Sequence, residues 1–75
     1  MKNRLLKLEK IRKQKGLSRR ELSEISGVSE ATIVALELGI NDIYGVKLAT
    51  LVKLATMLNI KVIDLVPDDI KEYIA

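Results

Sequence analysis

Two short helices separated by a very tight turn are encoded in the middle of the chain, and this feature restricts the fold most. Ser18 stands three residues before Glu21, which is the pattern of a helix N-cap with a reciprocal hydrogen bond. Gly27 ends that helix, and Ser29 caps the next one. Helices joined by so few residues cannot lie antiparallel and must cross steeply. The spacing therefore predicts a helix-turn-helix over residues 18–38.

The apolar residues of this segment repeat at helical spacing and predict which faces are buried. In the first helix, Leu22 and Ile25 are expected to point inward. The inner side of the second helix is predicted to hold Val28, Ile33 and Leu36. In a helix-turn-helix, the second helix enters the major groove of DNA with its outward side. The predicted outward residues are Glu30, Ala31, Val34 and Ala35.

Helical periodicity continues on both sides of this pair. Further helical segments are predicted over residues 4–15, 48–58, 62–66 and, as a sixth helix, 70–74. Asn59 is expected to close the helix before it in the left-handed conformation, with Ile60 making the hydrophobic contact. Pro67 breaks the segment that precedes it. The sequence thus predicts an all-α fold of five or six short helices, forming one compact domain over residues 1–75.

The positive charge is concentrated at the N-terminal end. Residues 1–20 contain nine basic side chains against one acidic, whereas residues 21–75 contain four basic against nine acidic. A basic end on a mildly acidic body suits a polyanion or an acidic protein partner, and a solvated helix face is the alternative. Cysteine and histidine are absent, so disulfides and the usual zinc ligands cannot stabilise the fold.

Membrane proteins and enzymes are not indicated. The longest uncharged stretch, Leu54 to Ile60, is far shorter than the roughly 20 residues that span a bilayer, so we expect a cytoplasmic protein. The serines are explained as caps or close-packing residues, and there is no histidine base. Asp68 and Asp69 fit a helix cap better than a metal site. We predict no catalytic residue, cofactor, metal or small-molecule substrate.

Glycines, caps and core positions together resemble the phage repressor/Cro-type helix-turn-helix family, the XRE-like transcriptional regulators. The resemblance covers residues 5–65. It is carried by Leu8, Ile11, Arg12, Gly16, Leu17, Ser18, Leu22, Gly27, Val28, Ser29, Thr32, Ile33, Leu36, Glu37, Gly39, Thr50, Leu51, Leu54, Ala55 and Leu58. It implies a lambda-repressor-like fold and a sequence-specific, dimeric, double-stranded-DNA-binding regulator of the repressor or Cro kind.

The resemblance also implies roles for individual residues. Base edges are expected to meet Glu30, Ala31, Val34 and Ala35. Phosphate contacts are expected, from the resemblance or from polar and basic character, at Arg19, Arg20, Ser29, Thr32, Asn41, Tyr44 and Lys47. Arg12 and Glu37 match positions that commonly pair in the family, and we expect this pair to hold the fold without reading DNA. The alternative for Tyr44, with Ile43 and Val46, is packing on the core or a contact between subunits.

The second helix of the motif departs from the family pattern, because its outward side has only one long polar residue, Glu30. This side chain can accept a hydrogen bond from cytosine N4, and the small apolar residues can touch thymine methyl groups. Guanine and adenine lack their usual bidentate partners. Since phosphate neutralisation supplies most of the affinity, the missing side chains threaten specificity more than binding.

Two questions stay open from the sequence. Apolar residues near the DNA-facing side raise an alternative function, a helix-turn-helix module repurposed for a protein partner, such as an antitoxin or anti-repressor, with little base-specific readout. These residues are Val34, Leu38, Ile40 and Ile43. The dimer surface is predicted in the C-terminal segment 62–75, with 67–75 as a dimerisation tail. Its apolar residues are Val66, Ile70, Tyr73 and Ile74.

Overall fold

A computed structural model describes residues 7–40 and 46–67. Four α-helices and one turn of 3-10 helix follow one another in this part of the chain, which contains no strand. They are α1 (Leu8–Gln14), α2 (Arg19–Ser26), α3 (Glu30–Leu38), α4 (Leu48–Met57) and the 3-10 helix (Val62–Leu65). The all-α prediction is confirmed. The predicted count of five or six helices is not matched, because the fifth segment forms only a four-residue 3-10 turn, and the sixth, 70–74, lies outside the described residues.

The N-terminus of α2 forms as the sequence predicts. The Ser18 hydroxyl accepts a hydrogen bond from the Glu21 backbone N–H at 3.0 Å, and the Glu21 carboxylate accepts one from the Ser18 N–H at 2.8 Å. Gly27 closes the helix with φ 76° and donates its N–H to the Ser23 carbonyl. A Cβ atom at Gly27 would have no neighbour within 4 Å, so the backbone conformation, and not space, requires glycine here.

Helix α3 begins and ends with the same kinds of residue. The Ser29 hydroxyl accepts from the Thr32 N–H at 3.1 Å, and Gly39 follows the helix in the left-handed conformation. Helix α4 ends at the predicted signal, since Asn59 has φ 58° and the Ile60 N–H bonds to the Ala55 carbonyl at 3.0 Å. These local patterns therefore determine where the helices begin and end.

An aliphatic core joins all five elements. The largest fully buried side chains are Leu8, Leu22, Ile33, Leu54, Leu58 and Leu65. Val46 packs against this cluster, in agreement with the core alternative for that residue. Ile25, predicted to point inward, is 48% exposed. Leu22 is the one buried residue of α2.

The predicted dimer surface must be corrected at Val66. This residue is 2% exposed within a single chain, because it directly follows the buried Leu65 and its N–H bonds to the Ile63 carbonyl, which turns the segment onto the core. Of the proposed tail 67–75, only Pro67 is described, and it is buried. The remaining residues of the predicted surface, Ile70, Tyr73 and Ile74, lie outside the described part of the chain.

No helix in residues 7–40 and 46–67 is long and apolar enough to cross a membrane. The two ends of the described fold meet, since the Lys7 N–H donates to the Leu65 carbonyl at 2.9 Å. With this bond, the segment after α4 returns to the start of α1, and α2 and α3 are held as a pair against α4 and α1.

Candidate nucleic-acid interface

The two sides of α3 differ sharply in exposure. On the inner side, Ile33 is fully buried, and Leu36 and Glu37 are 4% and 6% exposed. On the outer side, Glu30 and Ala31 are exposed, and the remaining two residues that the sequence predicted to face outward are half-buried. These are Val34 and Ala35. The structure therefore brings the four predicted base-facing residues to one side of one helix.

Leu38 belongs to the same outer side and was not among the predicted base-facing residues. It is 58% exposed and stands four residues after Val34 and seven after Ala31, which places all three on one helical face. The spacing in the sequence is enough to place Leu38 on the outer side, but a leucine at the end of a helix is ordinarily assigned to the core. Ile40, two residues later, is 67% exposed.

Arg12 and Glu37 form a buried ion pair between α1 and α3. The Arg12 Nε donates to Glu37 Oε2 at 2.6 Å, and Nη2 donates to Oε1 at 3.2 Å. Their side chains are 8% and 0% exposed. Arg12 Nη1 also donates to the Leu17 carbonyl at 2.8 Å, so the guanidinium connects the end of α1, the following turn and α3. This arrangement fixes the inner side of α3.

Arg19, a predicted phosphate contact, has surroundings that the sequence did not reveal. Its Nε donates to Glu37 Oε1 at 2.8 Å, and its Nη2 lies 3.6 Å from Glu9 Oε2. Glu37 therefore accepts from two arginines, and α1, α2 and α3 meet at one carboxylate. The sequence has no local signal for the contact between Arg19 and Glu37, because the two residues are 18 positions apart. About a third of the Arg19 side chain stays exposed, and its phosphate contact remains a prediction.

Arg12, Arg19 and Glu37 form a charged cluster in which the hydrogen bonds between the side chains stabilise the charges. Burial by itself raises the pKa of Glu37, but hydrogen bonds from Arg12 and Arg19 outweigh it, and the pKa lies below its ordinary value. The hydrogen bond with Glu37 raises the pKa of Arg12 above its ordinary value. In the described part of the chain, every buried side-chain nitrogen and oxygen has a hydrogen-bond partner. Both pKa shifts favour the charged forms of Arg12 and Glu37, so this buried pair is ionised at neutral pH.

The predicted phosphate-binding residues have different surroundings. Arg20 is 80% exposed, with Glu24 3.9 Å away, and Lys47 is exposed at the N-cap of α4. Ser29 and Thr32 share a hydroxyl–hydroxyl hydrogen bond of 2.8 Å at the start of α3. The other two predicted residues, Asn41 and Tyr44, lie outside the described residues. No described set of three Asp or Glu side chains is placed to hold a metal ion.

The outer side of α3 can bind in a nucleic-acid groove, but it offers few polar groups to the base edges there. The outer side of α3 is apolar except for Glu30, and exposed basic groups stand at the first turn of α2 and before α4. Comparison with family models matches residues 8–65 to the family described as Helix-turn-helix. Comparisons with curated proteins and with solved structures give no match. The matched range begins with α1 and ends with the 3-10 helix, so it includes every described element.

Proposed function

We propose, because the chain belongs to the phage repressor/Cro-type helix-turn-helix family of XRE-like regulators, that it recognises specific double-stranded DNA sites and regulates transcription as a repressor. Family membership supports DNA binding. The observation that carries the proposal is the two-sided α3, which is anchored on its inner side through Glu37 and presents its outer side to the solvent. A helix held this way can enter the major groove without leaving its own core.

In the proposed complex, α3 lies in the groove with its outer residues over the base pairs. Ala31 and Ala35 are small, so the helix backbone can approach the bases closely. Glu30 stands at the N-terminal end of α3, where helix-turn-helix proteins commonly contact base edges. Val34 lies between Ala31 and Ala35 in the helix. These four residues form the proposed base-facing surface.

The phosphate backbone meets the edges of the same surface in this proposal. Arg20 and Lys47 supply exposed charge, and Arg19 supplies the exposed part of its guanidinium. Ser29 and Thr32, at the N-terminus of α3, lie where backbone N–H groups and the helix dipole favour an anion. Asn41 and Tyr44, which lie between α3 and α4 in the sequence and outside the described residues, are also proposed contacts.

We infer a homodimer acting in the cytoplasm, where bacterial and phage DNA is transcribed. One module of this kind covers too little DNA for physiological specificity, and two-fold symmetry doubles the contact surface. Segment 67–75 remains the proposed dimerisation tail, without Val66, which the single chain already buries. Truncation after Pro67 should convert the dimer to a monomer in a solution-mass measurement, and an unchanged mass would exclude this tail.

Selection of bound genomic fragments by the purified protein at two salt concentrations tests the proposal. Enrichment of one palindromic site is expected, with affinity falling steeply as salt rises, since each neutralised phosphate adds about −0.9 to the logarithmic slope. Arg20→Gln should make this slope shallower. Lys53→Gln removes the same charge from the exposed side of α4 and serves as the matched control. Equal slopes for the two variants would contradict the phosphate role of Arg20.

A second candidate function is supported by the exposure of Leu38 and Ile40 at the end of α3. Apolar side chains this exposed suit a protein partner, as in an antitoxin or anti-repressor. The same selection separates the two functions. A protein-binding module would enrich no fragment at low salt, and its binding to a partner would respond little to added salt.

A further inference from the structure

The side-chain chemistry of α3 is unusual for a helix that reads DNA. Its sequence, EATIVALEL, contains no arginine, lysine, asparagine or glutamine. Those four residue types make the bidentate contacts that identify guanine and adenine. The outer side instead presents four apolar residues at helical spacing, Ala31, Val34, Ala35 and Leu38, beside the single carboxylate of Glu30. Whatever the helix recognises must therefore be recognised mostly by apolar contact.

The floor of the major groove offers one apolar feature, the C5-methyl group of thymine. We propose that α3 identifies its DNA site by packing Ala31, Val34 and Leu38 against thymine methyl groups; this inference rests on the DNA-binding function proposed above. Leu38 is the additional specificity-determining residue. It is 58% exposed in the free protein, so contact with a methyl group buries apolar surface that the fold leaves in water.

The geometry of a helix sets the number of methyl groups involved. Residues 31 and 38 are seven positions apart, which corresponds to about 10 Å along the axis. Base pairs are stacked about 3.4 Å apart, so this length spans about three base-pair steps. When α3 lies along the groove, the apolar face covers thymines at three or four neighbouring positions. The expected site therefore contains a short block of A·T pairs in each half.

The anchoring of α3 makes such contacts specific. Short side chains such as Ala31 and Val34 have little rotamer freedom to lose on binding. The inner side is held by Glu37, which accepts hydrogen bonds from Arg12 and Arg19 at 2.6–3.2 Å. These bonds oppose rotation of α3 about its axis, so the helix cannot reorient to compensate for a base that lacks a methyl group. The same two arginines compensate the Glu37 charge. Glu30 is then the one carboxylate on the outer side, and the exposed Arg20 and Lys47 supply positive charge that suits the phosphates of a polyanion.

Deoxyuridine substitution provides the test, because it removes the methyl group and leaves every hydrogen-bonding group of the base in place. Each thymine in the selected DNA site is replaced in turn, and the dissociation constant is measured at fixed salt. We expect a loss of about fourfold at each of three or four neighbouring thymines, the value for one buried methyl-sized group. Thymines elsewhere in the site should tolerate the change.

A variant connects the effect to α3. Leu38→Ala should weaken binding to the thymine-containing site and abolish the deoxyuridine penalty at one position only. Val34→Ala should do the same at a neighbouring position. Val52→Ala, which shortens a 44% exposed side chain on α4, is the matched control and should leave every penalty unchanged. Circular dichroism of each variant establishes that it is folded.

The outcomes are distinct. Binding without any deoxyuridine penalty would overturn the inference while leaving the DNA-binding function intact. Penalties that neither Leu38→Ala nor Val34→Ala alters would also overturn it, because the methyl groups would then be read by another element. Failure to bind any duplex at low salt would overturn the proposed function itself, and with it the inference, in favour of a protein partner on the same face.

Discussion

Helices α2 and α3 have nearly the same length and the same kind of serine N-cap, but the chemistry of their exposed sides differs. Helix α2 buries Leu22 and exposes charged residues, including Arg20 and Glu24. Helix α3 buries the carboxylate of Glu37 and exposes Leu38. The first pattern is what folding alone requires of a surface helix. Folding does not require the exposed Leu38 of α3, since apolar residues on an exposed side add nothing to the core.

The difference teaches which parts of the motif folding explains. A buried carboxylate is costly unless it is paired, and Glu37 has two guanidinium partners that fix α3 against α1 and α2. The outer side of α3 has no such role in the fold and is available to contact a binding partner. The inner and outer sides of α3 should therefore respond differently to substitution, the inner in stability and the outer in binding.

The largest expected effect comes from breaking the inner side. Arg12→Ala leaves the buried Glu37 carboxylate with Arg19 as its remaining partner and should lower the free energy of unfolding by up to about 3–5 kcal/mol. For a domain of this size, the midpoint of thermal unfolding would fall on the order of 15–30 °C. Calorimetry or a circular dichroism melt measures it.

Lys13→Ala is the control for this substitution. Lys13 lies 3.7 Å from Glu9 on the exposed side of α1, and such surface pairs contribute only about 0.3–0.5 kcal/mol. Similar melts for Arg12→Ala and Lys13→Ala would contradict the importance of the cluster, and with it the contrast between the two sides of α3.

A comparison within α3 should give the next largest effect. Ile33 is fully buried, so Ile33→Ala is expected to cost about 2–5 kcal/mol in urea unfolding. Leu38→Ala removes a side chain that is mostly in water and should change stability by no more than about 0.5 kcal/mol. Affinity for the selected DNA site should behave in the opposite way at Leu38. A large loss of stability in Leu38→Ala would mean that its side chain serves the fold.

The two caps provide a matched pair with a smaller effect. Ser18→Ala and Ser29→Ala each remove a hydroxyl that accepts from a backbone N–H near 3 Å, and each should cost about 1 kcal/mol of stability. Only Ser29→Ala should also weaken DNA binding beyond the loss explained by unfolding, because Ser29 lies at the start of the outer side of α3. Equal DNA affinity for the two variants, measured where both are fully folded, would remove Ser29 from the proposed contacts.

The smallest expected effect is in the acid range. The lowered pKa of Glu37 means that its contribution to stability is complete above the ordinary glutamate pKa of about 4.3 and is lost as pH falls through the lower, folded value. The stability difference between the wild type and Glu37→Gln should therefore narrow at acid pH, measured by urea unfolding at several pH values. Glu24→Gln, which removes the same charge at an exposed position, is the matched control.

Local signals made most of the fold predictable from the sequence. Ser18, Ser29, Gly27 and Asn59 determine where helices begin or end through contacts within a few residues, and the structure has all four in these roles. The outward side of α3 was also predictable, because helical spacing alone separates it from the buried Ile33.

Features that depend on distant contacts were missed or predicted wrongly. Periodicity predicts Ile25 inside, but it cannot reveal which apolar residues of α2 the distant helices cover, and Ile25 is 48% exposed. Val66 was assigned to a dimer surface, because an apolar residue near a chain end gives no sign of the turn that buries it. The bond from Arg19 to Glu37 joins residues 18 positions apart, and no local pattern pairs them.

The hydrogen bond between Lys7 and Leu65 has an architectural consequence. Residues 7 and 65 therefore lie side by side, so the described helical body begins and ends at nearly the same point. This closeness also suits the body to rearrangement, since a short flexible linker between the two positions would allow the chain to be opened elsewhere. For the same reason, the segment from Lys7 to Leu65 is suited to insertion into a surface loop of another protein.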